Sequence, residues 1–255
     1  MALSSLALGG QAAQVEQTLH FSGYEWIVKE GFWGPGPNHW EPHNVFVDEQ
    51  GRLHLKLTQH DGRWYASEVT LKQRLGFGCY QWQVAGRVDQ FDPNVVLGLF
   101  NYTVPEVGPD GTNEIDIEFA RWGKPENPAG NYSVWPAQKG APHASHRFEV
   151  KLEGDYTMHR FDWTAQRVSF QSLHGHYDDP AKANENAVIT NFVFEPKEPA
   201  RSIPQHPLPV KMNLWLFRDR PPQNGQEVEI VIHSFRFTPA PEPTSPDSTP
   251  KENAP

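Results

Sequence analysis

The chain is poor in cysteine, in long apolar runs and in clustered basic residues. Its 255 residues include one cysteine, Cys79, so no disulfide can form within the chain and cysteine usage does not indicate a compartment. No run approaches the roughly 18 to 20 apolar residues of a membrane span, and we expect no membrane partner. The net charge is −9 and Lys and Arg form no runs, which argues against a nucleic-acid partner because phosphate binding requires a basic patch.

Histidine and aromatic residues are plentiful by contrast. The 12 histidines show no metal-binding spacing such as H-E-x-x-H, so we read them as surface or core imidazoles and predict no metal ligands. The 9 Trp, 7 Tyr and 15 Phe supply flat apolar faces, which either pack a core or stack on sugar rings. A neutral sugar polymer fits this charge balance.

Short strand-like runs separated by Gly, Pro, Asn and Asp recur along the chain, which predicts an all-β sandwich. A turn at residues 48–51 joins two of them as a hairpin, and only residues 180–187 have helical character. The predicted strands cover residues 21–28, 44–47, 53–58, 64–71, 80–88, 95–103, from 113, 131–135, 147–152, 159–164, 168–173, 189–194, 210–217 and 228–238.

The two ends differ in composition from this β domain, which we place at residues 21–238. Residues 1–20 form an N-terminal tail, whose first 14 residues resemble the apolar part and cleavage zone of a secretory signal without its basic residues. That resemblance leads us to expect a secreted or periplasmic protein. Residues 239–255 are rich in Pro, Ser and Thr, and are predicted to be a disordered tail or the stump of a linker.

Residues 113–119 read NEIDIEF, an unusual row of acids. Successive side chains on a strand point to opposite faces, so Glu114, Asp116 and Glu118 share one face and the apolar residues share the other. Acids are poor strand formers and like charges side by side repel, so this row lowers stability unless a site requires it. The conflict marks a candidate catalytic site.

The spacing of the two glutamates limits the chemistry. Their Cα atoms would lie about 13 Å apart, yet long side chains leaning inward can bring the carboxyls to about 5 to 6 Å. That separation suits a retaining glycosidase, with Glu114 as the nucleophile and Glu118 as the acid/base. Asp116 between them would hold Glu118 protonated and Glu114 ionised. The alternative is that all three are solvated strand acids.

The motif resembles the E-x-D-x-E catalytic motif of glycoside hydrolase family 16, which includes lichenases, laminarinases and xyloglucan transferases. Five other segments resemble that family in the same order along the chain, over roughly residues 21 to 238. The strict period of two, without the extra residue that makes a β-bulge in one branch, is similar to the lichenase side. The five segments are ASEV at 66–69, GFGCYQW at 76–82, GLFNY at 98–102, YTMHRFDW at 156–163 and KMNLW at 211–215.

The resemblance implies a two-sheet jelly roll with a concave substrate cleft. It implies an endo-acting retaining hydrolase of β-1,3-1,4- or β-1,3-glucan that needs no cofactor, and we expect a monomer with a polysaccharide partner. Hydrolysis of a galactan such as agar or carrageenan, or transglycosylation, is the alternative within the enzyme class. A lectin-like jelly roll is the alternative outside it, although a binding module does not need two carboxyls across a bond.

Seven residues are candidates for substrate binding. The resemblance places Trp215 and Asn213 beside the cleavage point and Glu68 at a subsite. Alternation favours the cleft for Trp215, since residues 213, 215 and 217 share one face of a strand. The aromatic loop at 31–42 contributes Trp33 and Asn38, and Trp122 and Tyr132 complete the set.

The sequence departs from the family pattern at three places. Thr70 occupies the position, two residues after Glu68, where the family often has an Arg, so one polar contact of that Arg is missing. Thr112 and Asn113 stand where lichenases have a Trp, and losing that stacking platform would weaken sugar binding by about 1 to 3 kcal/mol unless Trp33, Trp122 or Trp135 replaces it. His233 stands at the position of a calcium ligand, and calcium prefers oxygen, so we predict no tight calcium site.

Overall fold

The computed structural model of the protein describes residues 16–241. Most of both predicted tails, residues 1–15 and 242–255, lies outside that range, and the secretory and linker interpretations stay predictions. The ordered strands begin at Thr18 and end at Pro239. The β domain therefore extends slightly beyond the predicted boundaries of 21 and 238 at each end.

Within the described residues the chain forms 17 strands. They are β1 (Thr18–Phe21), β2 (Tyr24–Val28), β3 (Gly31–Trp33), β4 (Asn38–Trp40), β5 (Val45–Val47), β6 (Leu53–His60), β7 (Arg63–Leu75), β8 (Gly78–Ala85), β9 (Val95–Asn101), β10 (Glu114–Ala120), β11 (Gly130–Trp135), β12 (Ala144–Phe148), β13 (Tyr156–Trp163), β14 (Val168–His174), β15 (Val188–Phe194), β16 (Leu208–Leu216) and β17 (Val228–Pro239).

These strands build two antiparallel sheets. The first, here called the cleft sheet, has the order β1, β2, β7, β16, β9, β10, β11, β12. The second, the outer sheet, has the order β5, β6, β17, β8, β13, β14, β15. The short strands β3 and β4 bridge the two sheets, because β4 runs parallel to the start of β7 and β7 pairs there with β6.

The core lies between the two sheets. Ile115, Ile117 and Phe119 of β10 are fully buried and face inward, as the alternation predicts. The ring centroid of Phe119 lies 4.6 Å from that of His159 on the outer sheet, and Tyr132 on β11 stacks on Phe170 of β14 at 4.7 Å. The apolar face of the acidic strand is therefore an integral part of the sandwich core, which anchors the acids on the other face.

The predicted all-β sandwich is confirmed, with local differences. The turn at 48–51 joins β5 to β6, and Gly51 N–H donates to the Asp48 carbonyl 2.9 Å away. Residues 180–187 form only two 3-10 turns, and a short α-helix that the sequence did not predict spans Pro199–Ser202. The loop at 31–42 contains β3 and β4, because residues there find partners on β7.

Candidate active site

The three acids lie on β10, an interior strand of the cleft sheet. β10 pairs without a register shift with β9 on one side and β11 on the other. Regular pairing keeps the period of two, so Glu114, Asp116 and Glu118 line one face together. All three line each of two neighbouring cavities on that face. The structure thus brings the three predicted catalytic residues together on one surface.

Two cavities meet at the acidic row and form a groove across the strands. The larger, about 390 Å³, extends over β9, β16 and β7, and the smaller, about 230 Å³, extends over β11 and β12. The acids therefore stand in the middle of the groove. Besides the acids, the larger cavity is lined by Lys29, Gly34, Pro35, Glu68, Gly98, Phe100, Tyr102, Asp110, Lys211, Asn213 and Trp215, and the smaller by Trp122, Asn131, Ser133, Trp135, His143, Ser145 and Arg147.

Glu118 faces a polar row that crosses the sheet. On β11 its cross-strand partner is Asn131, whose amide Nδ2 donates to Glu118 Oε2 at 3.1 Å. The same Nδ2 lies 2.9 Å from Ser133 Oγ, and Ser145 Oγ donates to Asn131 Oδ1 at 2.9 Å. Because both ends of the amide are bonded, its orientation toward Glu118 is fixed.

On the other side of Glu118 the floor of the groove is a glycine. Gly98 on β9 pairs with Glu118, and the next residue in the row is Asn213 on β16. A Cβ atom at position 98 would lie 2.5 Å from Asn213 Oδ1, so any other residue there would displace the Asn213 amide. The absence of a side chain at position 98 leaves room for the Asn213 amide and the Phe100 ring in this part of the groove.

Asp116 is held from two sides. Trp135 on β11 donates its indole N–H to Asp116 Oδ2 at 3.0 Å, and the Asp116 side chain is also hydrogen-bonded to Glu114. The Trp135 ring stacks on His143 with centroids 4.6 Å apart. Trp135 also pairs with Glu114 across the strands. An aromatic residue therefore stands beside the proposed nucleophile, although Thr112 and Asn113 are buried and offer none.

Burial raises the pKa of all three carboxyls. The pKa of Glu118 rises to about 7 against an opposing hydrogen bond from Asn131, and that of Glu114 to about 8 against opposing effects of Asp116 and Lys211. The pKa of Asp116 is raised well above its ordinary value by burial and by the two glutamates. The sequence predicted an ionised Glu114 in the resting site, whereas near neutral pH burial keeps Glu114 as well as Glu118 protonated for much of the time.

Glu68, predicted as a subsite residue, lines the larger cavity within a charged cluster. Its Oε1 atom lies 3.1 Å from the Nζ atoms of both Lys29 and Lys211, and its Oε2 accepts from Asn213 Nδ2 at 3.1 Å. Lys211 is the cross-strand partner of Thr70, the position where the family pattern has an Arg. A cation from the neighbouring strand thus occupies the space beside Glu68, and this compensation was not predicted from sequence.

The two tryptophans predicted at the cleft meet near the end of β16. Trp215 lines the larger cavity but is only 8% exposed, while Trp122 lines the smaller one. Their rings make an edge contact with centroids 6.5 Å apart, and Trp122 also contacts Phe217 at 5.5 Å. Both therefore border the groove, on either side of the acidic row.

Tyr132, predicted to bind substrate, is a core residue. Its side chain is 0% exposed and points to the face of β11 opposite Asn131 and Ser133. The hydroxyl lies 2.6 Å from Ser172 Oγ on the outer sheet. The prediction for Tyr132 is therefore wrong, because strand alternation places it between the sheets.

The loop residues also differ from their predicted roles. Asn38 is buried, and its amide bonds the backbone N–H and C=O of Leu216, so it fastens the β3–β4 hairpin to β16 and has no atom free for sugar. Trp33 is 65% exposed and its indole N–H donates to the Glu30 carbonyl. Trp33 does not line the larger cavity, although Gly34 and Pro35 do. The hairpin contributes backbone and Pro35 to the groove instead.

Residues 16–241 contain no group of three His, Cys, Asp or Glu side chains arranged to hold a metal ion. Within the same range no helix combines the length and apolarity that crossing a membrane requires. His233 packs against His176, with ring centroids 4.7 Å apart, and the response to calcium stays a prediction.

Comparisons with known proteins agree with this architecture at the level of fold. No protein-family model and no curated protein matches the chain. Among solved structures, the β-glucanase of Bacillus licheniformis is 20% identical with a TM-score of 0.61, over 89% of this chain and 100% of that one. A glycoside hydrolase family 16 endo-glucanase from Bacteroides ovatus is 12% identical with a TM-score of 0.60, over 84% and 94%.

A third structure with this fold is described as a pseudo β-1,3-glucanase. It comes from Mycobacterium tuberculosis, is 19% identical and has a TM-score of 0.61, over 84% of this chain and 91% of that one. At such identities the likeness concerns the fold. The two-sheet jelly-roll fold that the sequence resemblance implies is thereby confirmed.

Proposed function

We propose, on the premise that the chain has the fold of the glycoside hydrolase family 16 β-glucanases, that it is an endo-acting retaining hydrolase of β-linked glucan. The observation that carries the proposal is the row of Glu114, Asp116 and Glu118, which borders cavities on both sides. A groove that continues past the acids on both sides suits a cut within a polymer. The B. licheniformis protein of the same fold is named a β-glucanase.

The reaction would proceed by double displacement. Glu114 attacks the anomeric carbon while Glu118 gives its proton to the glycosidic oxygen, and the bond between that carbon and oxygen breaks. Glu118, now ionised, then takes a proton from water, which attacks the anomeric carbon and releases Glu114. A pKa of about 7 suits Glu118 for both giving and accepting a proton near neutral pH.

The nucleophile must be ionised when it attacks. The hydrogen bond with Asp116 and the charge of Lys211 both favour the ionised form of Glu114. The positive charge that develops at the anomeric carbon favours it further. These three effects oppose the burial that raises the pKa of Glu114 in the empty groove.

The substrate is proposed as β-1,3-1,4- or β-1,3-glucan. The groove contains the stacking surfaces of Trp215, Trp122 and Trp135 and polar groups from Asn213 and Glu68, which suit a neutral sugar chain. A panel of barley glucan, laminarin, xyloglucan, agarose and carrageenan tests this choice. We expect mid-chain cuts in barley glucan or laminarin, read as reducing ends and product sizes.

Substitution tests the roles of the two glutamates. Glu114→Ala and Glu118→Ala should each abolish hydrolysis of the polymer in a folded protein, and Glu49→Ala, in an exposed turn, is the matched control. With an aryl β-glycoside substrate, azide should restore both variants with opposite stereochemistry. The azide product inverts for Glu114→Ala, where azide replaces the nucleophile, and retains for Glu118→Ala.

Four results would each contradict a part of this proposal. Wild-type activity in either glutamate variant would end the assignment. Binding of polysaccharide without cleavage would favour the lectin-like alternative, which the pseudo-glucanase with the same fold makes worth testing. Labelled acceptor sugar appearing in products would indicate transglycosylation, and cleavage of agarose or carrageenan alone would indicate a galactanase.

A further inference from the structure

Trp135 makes a contact to the acidic row that the proposed mechanism has not used. Its indole N–H lies 3.0 Å from Asp116 Oδ2, and its backbone pairs with Glu114. The ring is half-buried and is held on one face by His143, with an angle of 13° between the ring planes. Strand pairing and stacking together fix where the N–H points.

An indole N–H can donate a hydrogen bond but cannot accept one. This hydrogen bond alone would favour the ionised form of Asp116, but burial and the two glutamates outweigh it and raise the pKa of Asp116 well above its ordinary value. The carbonyl oxygen of a carboxylic acid is the better acceptor, so Oδ2, which accepts from Trp135, takes that role when Asp116 is protonated. The proton then resides on Oδ1. Because Asp116 is also hydrogen-bonded to Glu114, this proton is available to the proposed nucleophile.

We infer that Trp135 is a positioning residue, which directs the proton of Asp116 toward Glu114 and so keeps Glu114 ready to ionise. The inference rests on the proposed function, in which Glu114 is the nucleophile. Trp135 acts through Asp116 and is not itself a catalytic residue. Trp135 lies on β11, outside the acidic motif of β10, so the proposed roles of Glu114, Asp116 and Glu118 stay as they are.

Other titratable groups line the same two cavities as Glu114 and Asp116, and none of them makes the contact that Trp135 makes. They lie on β10 itself, in the loop after β9, on β16, on the β12 side of the groove and, farther along the larger cavity, at Lys29 and Glu68. The Trp135→Phe substitution leaves all of these groups in place. A change in the titration of Glu114 would therefore be due to the loss of the indole N–H. Besides Lys29 and Glu68, these groups are Glu118, Tyr102, Asp110, Lys211, His143 and Arg147.

The Trp135→Phe variant removes the N–H and keeps an aromatic face for His143 and for sugar. Without the donor, the proton of Asp116 can sit on either oxygen, and Glu114 loses part of its hydrogen bond. We expect kcat to fall about tenfold to a hundredfold, as for hydrogen bonds to charged groups, with KM within about twofold. The acid limb of the kcat/KM profile should move up by about half a pH unit or more.

Trp122→Phe is the matched control, because Trp122 lines the same cavity and contacts Trp215 and Phe217. It should change KM and leave the acid limb in place. A Trp135→Phe enzyme with the wild-type acid limb and kcat would overturn the inference. A change in KM alone would overturn it too, because that result assigns Trp135 to sugar stacking.

A measurement without substrate separates this inference from the proposed function. Carbon-13 spectra of labelled Asp and Glu carboxyls follow Glu114 and Asp116 through pH, with signals assigned by Glu114→Gln and Asp116→Asn. A higher pKa of Glu114 in Trp135→Phe supports the positioning role even if the wild-type protein cuts no polysaccharide. Identical titration curves in the two proteins would refute the role even if the wild-type protein is an active glucanase.

Discussion

The Nζ atom of Lys211 lies 3.1 Å from Oε1 of Glu68, in a cleft wall where Glu68 is almost completely buried. Burial alone would raise the pKa of Glu68, but the charges of Lys211 and Lys29 and the hydrogen bond from Asn213 hold that pKa below its ordinary value. The cluster therefore adds stability only while Glu68 is ionised.

Lys211→Met tests this relationship. Leaving Glu68 with one lysine should lower the free energy of unfolding by about 2 kcal/mol at pH 7. The difference from wild type should shrink as the pH falls below the ordinary Glu value of 4.5, because the stabilisation from a lowered pKa is lost on protonation. Urea denaturation at pH 7 and pH 4 measures both. Lys72→Met, which breaks the exposed pair between Lys72 and Glu25, should leave stability close to that of the wild type at both pH values, because solvent screens that pair.

The acidic row predicts a loss of stability on the alkaline side. Glu114 has a folded pKa of about 8 and an unfolded value of 4.5, so the folded protein binds the extra proton between these values and stability falls as pH rises through them. Glu114→Gln removes this effect and should stabilise the fold at pH 9 by on the order of 2 kcal/mol, with little gain at pH 4. Unfolding curves at both pH values, with Glu49→Gln as the control, test it. An equal gain at both would contradict the pKa argument.

His159 should make stability depend on pH in the opposite direction, with a loss of stability as the pH falls. Burial lowers the pKa of this fully buried imidazole to about 3, and its two ring nitrogens bond Ser172 and Thr157 at 2.8 Å. Between pH 6.5 and 3, His159 is therefore protonated in the unfolded chain but stays neutral in the folded chain. The free energy of unfolding falls as the pH falls through this range. The loss should reach on the order of 4 kcal/mol.

The variant His159→Gln isolates that contribution. It should be less stable than wild type at pH 7, and the acid loss between pH 6.5 and 3 should become shallower. Thermal unfolding followed by circular dichroism across this range measures the slope. His20→Gln, at an exposed position, should keep the wild-type slope. A wild-type slope in His159→Gln would show that other groups cause the acid loss.

Gly98→Ala tests the floor of the groove. The new methyl group would lie 2.5 Å from Asn213 Oδ1 and 3.3 Å from the Phe100 ring, so the Asn213 amide must move and weaken its bond to Glu68. We expect kcat/KM to fall at least about tenfold and stability to fall by about 1 to 3 kcal/mol. Gly154→Ala, where nothing lies within 4 Å, is the matched control and should match wild type in both measurements. Full activity in Gly98→Ala would mean that sugar does not occupy this floor.

The sequence predicted what depends on local periodicity. Alternation within residues 113–119 placed three acids on one face and three apolar residues in the core, and the structure has that arrangement. The same rule could have corrected the prediction for Tyr132. Its neighbours Asn131 and Ser133 are the polar partners of β10, so Tyr132 must face the other way.

What the sequence could not predict depends on register between distant strands. Lys29 and Lys211 both contact Glu68, although they are far from it in sequence and no local pattern indicates the contact. Likewise, Asn38 bonds Leu216, which is 178 positions away in the sequence. Trp135 reaches Asp116 only because β11 pairs with β10 in one register. Shifting that register by one residue would turn the indole into the core.

The acidic row belongs to a strand that is hydrogen-bonded along both edges. The Cα atoms of the two glutamates cannot change their separation without breaking hydrogen bonds in the middle of the sheet, so the backbone beneath the two carboxyls is stiff. Under the proposed function, we therefore expect the bound sugar, rather than this strand, to change its conformation during the reaction.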